Sequence, residues 1–179
     1  MLEKETTGLI VVDIQGKLAN LVHNSHMLIL NCTKLIQGAK ILNLPIIWLE
    51  QNPDKLGHTV KELGVLLNPA IPITKFSFNA CEEPNVIQSM NTIDVDSWLV
   101  CGIESHICVY QTVLGLQRLG YKVQVVSDCI SSRTVENTQL GIQMLMNKGV
   151  DMTGVEMCLY ELVKDCRLEE FKPILNLIK

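Results

Sequence analysis

The chain predicts an α/β protein: one parallel sheet of six strands, three layers deep, with helices on both faces. Three observations carry that prediction. Short apolar, β-branched runs alternate with segments whose apolar residues recur at helical spacing, the mark of repeated strand–helix–strand units. The runs are apolar throughout rather than at every second residue, as strands buried on both faces require. Several end in a charged or amide residue, where open parallel sheets place their ligand sites. At 179 residues, 47% of them hydrophobic and 19% charged, the chain can bury a core without disulfides or metals, and one domain, 1–179, is expected.

"TTGLIVVDIQ" (6–15) is the first strand, an apolar run that ends in Asp13. A helix follows near 25–43, where Ser25 suits the cap and Met27, Leu28, Leu35, Ile36, Ala39 and Leu42 form one face. "PIIWLEQ" (45–51) is the second strand, and Trp48, in its middle, belongs to the core. "AIPITKFSF" (70–78) is a short third strand; its proline cannot donate to a ladder, which places it at an edge. Pro84 opens a helix near 83–92, "SWLVCGI" (97–103) is the fourth strand, and "HICVYQTVLGLQRLG" (106–120) is a helix stopped by Gly120. "KVQVVSD" (122–128) is the fifth strand, 134–147 a helix, and "VDMTGVE" (150–156) the sixth strand. Two helices close the chain, "MCLYELVKD" (157–165) and "LEEFKPILNLIK" (168–179).

Composition removes several classes of function. The net charge is −4 and no Lys/Arg cluster is present, which argues against nucleic acid as a partner. "MLEKETTGLIVVD" carries acids where a secretion signal needs a basic and then a long apolar stretch. No stretch approaches the ~20 apolar residues that span a bilayer. A soluble, cytoplasmic protein without membrane partners is expected. Cysteines stand at 32, 81, 101, 108, 129, 158 and 166, an odd number without a C-x-x-C pair, and read as free thiols, most of them core residues. The apolar fraction and the helix "LVHNSHMLILN" (21–31) point to a homo-oligomer.

Cofactors and metals find little support. After the first strand, "DIQGKLAN" (13–20) has one glycine where a dinucleotide turn needs three, and no P-loop occurs. Only His23 and His26 lie near one another among four histidines, and no third ligand accompanies them.

The strand ends hold the candidate chemistry, and a small molecule is the expected partner. Cys108 falls in the first turn of the helix after strand four, where free N–H groups and the helix dipole favour a thiolate. Such settings, with a cation nearby, bring a cysteine pKa from ~8.5 into the range ~3.5–7.5. Asp13 ends strand one and Lys75 ends strand three. Taken singly, each has a plainer reading: Cys108 as a packed thiol, Asp13 as a turn cap, Lys75 as a stem reaching solvent past the sheet edge. Together they supply a base, an electrostatic clamp and a nucleophile. The sign of the net pKa shift on Cys108 stays open at this stage, because Asp13 pushes it up while Lys75 and the helix pull it down.

With these residues in view, "VVDIQ" (11–15), "TKFSF" (74–78), "GIESHICVYQT" (102–112) and "SDCISSR" (127–133) resemble, in the same order, the isochorismatase-like cysteine hydrolase superfamily. The similarity runs nearly end to end. "WLEQNPDKLGHTVKEL" (48–63) and "FKPILNLIK" (171–179) are similar to the isochorismatase-domain-containing subgroup, whose members mostly lack assigned substrates. The resemblance implies a sheet in the order 3-2-1-4-5-6 and a catalytic triad of Asp13, Lys75 and Cys108. It also implies a cis peptide between Ile103 and Glu104, which would aim the Glu104 N–H, with that of Cys108, at one point as an oxyanion hole. Cys108 then attacks the carbonyl carbon of a small amide or related C–N compound, Asp13 shuttles the proton, and water clears the acyl-enzyme. Gln15, Gln51, Phe78 and Ser105 are the expected pocket residues, and Asp128 with Ser131, Ser132 and Arg133 is expected to fasten the loop after strand five.

Two departures narrow the reading. Nicotinamidases of the superfamily hold a metal through an Asp and several His after the second strand, where this chain has "EQNPDKLGH" (50–58). True isochorismatases carry glycine in place of the nucleophile, whereas Cys108 is present here. Two alternatives remain at the level of sequence. One is a thiol redox protein that resolves Cys108 through a second cysteine. The other is a non-catalytic member that binds a metabolite or a partner chain.

Overall fold

The computed structural model describes all residues, 1–179. Its centre is a six-stranded, all-parallel sheet in the order β3-β2-β1-β4-β5-β6, formed by β1 (Thr7–Val12), β2 (Ile46–Gln51), β3 (Ile73–Lys75), β4 (Ser97–Ile103), β5 (Lys122–Ser131) and β6 (Asp151–Thr153). The helices are α1 (Gly16–Leu21), α2 (Ser25–Ile41), α3 (Pro53–Leu56), α4 (Lys61–Leu67), α5 (Pro84–Asn91), α6 (Tyr110–Arg118), α7 (Val135–Asn147), α8 (Val155–Val163) and α9 (Phe171–Ile178).

Uninterrupted apolar strands give each face of the sheet its own core. Every residue of β1 is buried, and neighbours part company: Leu9 and Val11 pack with α2, α8 and α9, while Ile10 and Val12 pack with α5 and α6. Trp48 joins the first core, as expected, and its Nε1 donates to Thr59 Oγ1 at 2.7 Å. Fully burying one such aliphatic side chain contributes roughly 1.5–3 kcal/mol, so the central strands β1 and β4 dominate the stability of the sheet. Strand β3 is only three residues long and lies at the edge, consistent with Pro72 just before it.

Strand five runs further than the expected 122–128, to Ser131. The reason is an irregularity beside Gly102: Val100 pairs with Val125, yet Gly102 pairs with Ile130. The extra residues bulge out and the strand then resumes. Gly102 is required there, since its φ is +130° and an added Cβ would stand 2.0 Å from the Val12 carbonyl oxygen. Asp128 lies on the bulge rather than at the strand end, and its carboxylate accepts from Val155 N at 3.0 Å, capping α8. That cap ends β6 at Thr153, short of the expected 156.

The expected helix 106–120 divides in two. Ser105–Val109 form a π-helical turn, with Val109 N donating to the Glu104 carbonyl at 3.2 Å, and the regular helix α6 begins at Tyr110. Helices α1, α3 and α4 and a 3-10 turn at Ala80–Glu82 are additional to the sequence reading. No helix is long and apolar enough to cross a membrane.

Candidate active site

The carboxyl ends of β1, β3 and β4 bring Asp13, Lys75 and Cys108 to one place. Asp13 leaves β1 in the left-handed region, φ 52°. That conformation is disfavoured by about 1–2 kcal/mol for most residues and is tolerated best by Asn and Asp. The Asp13 carboxylate is 4% exposed, and Lys75 Nζ lies 2.7 Å from its Oδ2. The same ammonium donates to Gln51 Oε1 at 2.6 Å and to the Ser77 carbonyl at 3.2 Å. Lys75 does not snorkel: it is wholly buried, hydrogen-bonded to two acceptors and ion-paired with Asp13.

Cys108 stands beside this pair in the π-helical turn, 8% exposed. Burial, reinforced by the Asp13 charge, pushes its thiol up to about 12, and the opposing pull of Lys75 is too weak to offset them. The sign left open by the sequence is therefore set by desolvation. Burial likewise raises the Asp13 carboxyl above its ordinary value against the attraction of Lys75. With its pKa raised this far, Cys108 is a thiol at neutral pH. Ile103–Glu104 is a cis peptide, which sets the backbone just before the turn.

Asp13 and Cys108 line a cavity of about 100 Å³ with Gln15, Leu18, Gln51, Leu56, Phe78, Ile103, Glu104 and Ile107, while Lys75 is wholly buried and not on its wall. Of the four expected pocket residues, Gln15, Gln51 and Phe78 are on its wall. Ser105 is not: it is completely buried behind the wall, its Oγ lacks a hydrogen-bond partner, and α7 presses on its carbonyl at Gly141. Leu18 and Leu56 come from α1 and α3, helices too short to show a periodicity.

A flap closes the site on the β2 side. Gln15 Oε1 accepts from Gln51 N at 2.6 Å, and its Nε2 donates to the Gln51 and Gly57 carbonyls at 3.1 and 2.6 Å. Glu50, buried at 2% exposure, takes Thr59 N and Thr59 Oγ1 on Oε1 at 2.6 and 2.8 Å, and His58 Nδ1 on Oε2 at 3.1 Å. Backbone bonds from Gly16 N to the His58 carbonyl and from Val60 N to the Ile14 carbonyl tie the flap to the segment after β1. Glu50 is a strand-end residue that the sequence marks as worth inspecting but to which it assigns no role. Its signal was an acid in a strand otherwise buried on both faces.

Two more carboxylates brace the rim. Glu83 accepts from Phe76 N, Ser77 N and Ser77 Oγ, and these bonds hold its carboxyl below the usual range. Glu104 Oε2 accepts from the Arg133 backbone N and Nε at 2.9 and 3.1 Å. His106 Nδ1 pairs with Ser132 Oγ at 2.9 Å, and Ser131 Oγ donates to the His23 carbonyl. The segment after β5 is thus fastened by Ser131, Ser132 and Arg133, while Asp128 serves α8.

No group of three or more His, Cys, Asp or Glu side chains stands together as a metal site would need. A larger hollow, about 520 Å³, lies at the amino ends of the strands, lined by Lys4, Glu5, Asn43 and Asp94 among others, and holds no cysteine.

The doubly wound parallel sheet thus carries an acid and a lysine at the carboxyl ends of β1 and β3 and a cysteine in the turn after β4. Residues 7–157 match the Isochorismatase domain, and the chain belongs to the isochorismatase-like family. It is 35% identical over 176 residues to the secreted isochorismatase effector Isc1 of Phytophthora sojae, covering 96% of this chain and 83% of that protein. The solved structure of the MAR1 ribonuclease from Caenorhabditis elegans superposes with a TM-score of 0.93 at 32% identity, over 99% of this chain and 91% of that one. The YcaC gene product from Escherichia coli, an octameric hydrolase of unknown specificity, shares the fold with a TM-score of 0.92 at 21% identity, over 98% and 89% of the two chains.

Proposed function

We propose that the protein is a metal-independent cysteine hydrolase that cleaves a small amide or related C–N bond, with Asp13, Lys75 and Cys108 as its triad. The observation that carries this reading is the buried Asp13–Lys75 ion pair set against the Cys108 thiol at the floor of a small cavity. A buried charge pair is costly to maintain and carries little stability of its own, which favours a chemical role.

The chemistry follows from the protonation states. As Cys108 Sγ bonds to the carbonyl carbon, its proton passes to Asp13, and the carbonyl π electrons move to oxygen. The Glu104 and Cys108 backbone N–H groups receive that oxyanion. Collapse breaks the C–N bond, and Asp13 returns the proton to the departing nitrogen. A water molecule then attacks the thioester carbon and gives a proton to Asp13. The acid leaves, and the Cys108 thiolate recovers the proton. Lys75 keeps Asp13 charged and oriented while negative charge develops.

Redox chemistry at Cys108 finds less support. Cys101, the nearest cysteine in sequence, is packed in the opposite core with Cys32 and Cys129. All seven cysteines are free, which suits a cytoplasmic protein. The ribonuclease activity named for the worm relative has no evident counterpart in the cavity, whose wall carries no Lys, Arg or His. Self-association is supported by Leu140 and Met144, exposed on α7 beside His106 and Tyr110, and light scattering would measure it. The function is tested by assaying a panel of small amides for ammonia or amine release. Turnover that disappears in Cys108→Ala supports the reading; turnover that survives the substitution rejects it.

A further inference from the structure

We infer that the Cys108 cavity selects uncharged substrates with a short apolar acyl group and rejects carboxylates and phosphates, an inference that rests on the amide-hydrolase reading. The walls are Leu18, Leu56, Phe78, Ile103 and Ile107. The carboxamides between them are already hydrogen-bonded within the protein. Gln15 spends both ends of its carboxamide on Gln51 and Gly57. Gln51 binds Lys75 through its oxygen and the Phe76 carbonyl through its nitrogen. Lys75 is wholly buried off the cavity wall, hydrogen-bonded to Gln51 and Ser77 and ion-paired with Asp13. No Arg or His lines the cavity.

An entering carboxylate would lose its water and find no free cation to replace it, since a buried charge needs a partner. It would also meet like charge, because Asp13 and Glu104 both line the cavity. An entering ammonium would find Asp13 already paired with Lys75 and Glu104 already holding Arg133. A neutral amide escapes both penalties. Its apolar acyl group replaces water on the apolar walls, and its carbonyl is left for the backbone N–H groups. Selectivity thus comes from shape and from the absence of an unclaimed charge.

The test reads binding on the Cys108→Ala protein, which cannot turn substrate over. Isobutyramide and isobutyrate have the same branched skeleton and differ in charge. Thermal stabilisation by isobutyramide should rise with concentration, and isobutyrate should give no shift at tenfold higher concentration. Leu56, 39% exposed on the flap, offers a second variant that the fold should accept. Leu56→Arg on the same background adds the missing cation and should raise isobutyrate binding at least fivefold. Equal or tighter binding of isobutyrate to the parent protein, or no binding of either compound, overturns the inference. A wild-type protein that binds isobutyramide but cleaves no amide overturns the hydrolase reading instead, so the two failures are distinguishable.

Discussion

Lys75 Nζ and Asp13 Oδ2 meet at 2.7 Å where both side chains are almost sealed from water, at 0% and 4% exposure. Each charge depends on the other. Removing one partner of such a pair leaves an uncompensated buried charge and costs about 3–5 kcal/mol. Lys75→Met is expected to lose stability in that range at pH 8, read from the urea midpoint. Asp13 then protonates more readily, because burial already raises its carboxyl and the opposing cation is gone. A carboxyl raised in the folded state favours folding in acid, and that contribution disappears as pH rises through its folded pKa. The variant should therefore recover toward wild type as pH falls, and Asp13→Asn/Lys75→Met should be more stable than either single change.

The protonation of Cys108 sets a second expectation. Its thiol, pushed up to about 12, has no thiolate plateau near neutrality. Direct alkylation of Cys108 should keep accelerating with pH to at least pH 10, as peptide mass spectrometry would follow. Amide turnover should instead reach a plateau above the Asp13 pKa, because the proposed mechanism uses ionised Asp13 as the base. Asp13→Asn should lower turnover by about 10²–10⁴-fold, the usual contribution of a positioned general base.

Glu50 joins the flap to the electrostatics of the site. Glu50→Ala strands Thr59 N and Oγ1, which should cost about 1–3 kcal/mol and raise KM. Glu50→Gln keeps an acceptor but removes a charge that raises the Asp13 carboxyl. Its expected signature is an acid limb of the kcat/KM profile moved to lower pH, with little change in KM.

Close packing behind the nucleophile gives a fourth. A Cβ at Gly141 would lie 2.9 Å from the Ser105 carbonyl carbon and oxygen. Gly141→Ala must therefore displace either α7 or the turn that carries Cys108. Overpacking of this kind typically costs about 1–3 kcal/mol, and kcat should fall more than KM rises.

The sheet was legible because buried parallel strands are written as continuous apolar runs, and the proline at the third run marked its edge. Asp13, Lys75 and Cys108 stood out because charged or nucleophilic residues rarely end such runs without a partner. What escaped depended on contacts distant in the chain. Leu18 and Leu56 sit on helices of six and four residues, too short for a periodic signal. The bulge in β5 arises from Gly102 in the neighbouring strand. Ser105 lies three residues before Cys108, yet the π-helical turn carries it off the cavity wall. The direction of the Cys108 shift needed the depth of burial, which no pattern of residues supplies.

The most direct test of the account is to look for the acyl-enzyme itself. Wild-type protein is mixed with p-nitrophenyl isobutyrate, quenched in acid at successive times and mapped by peptide mass spectrometry. An isobutyryl group on Cys108 that appears and then clears as isobutyrate is released, and that is absent from Cys108→Ala, is the predicted result. Isobutyrate released at the wild-type rate by Cys108→Ala, or with Cys108 unmodified throughout, would contradict it.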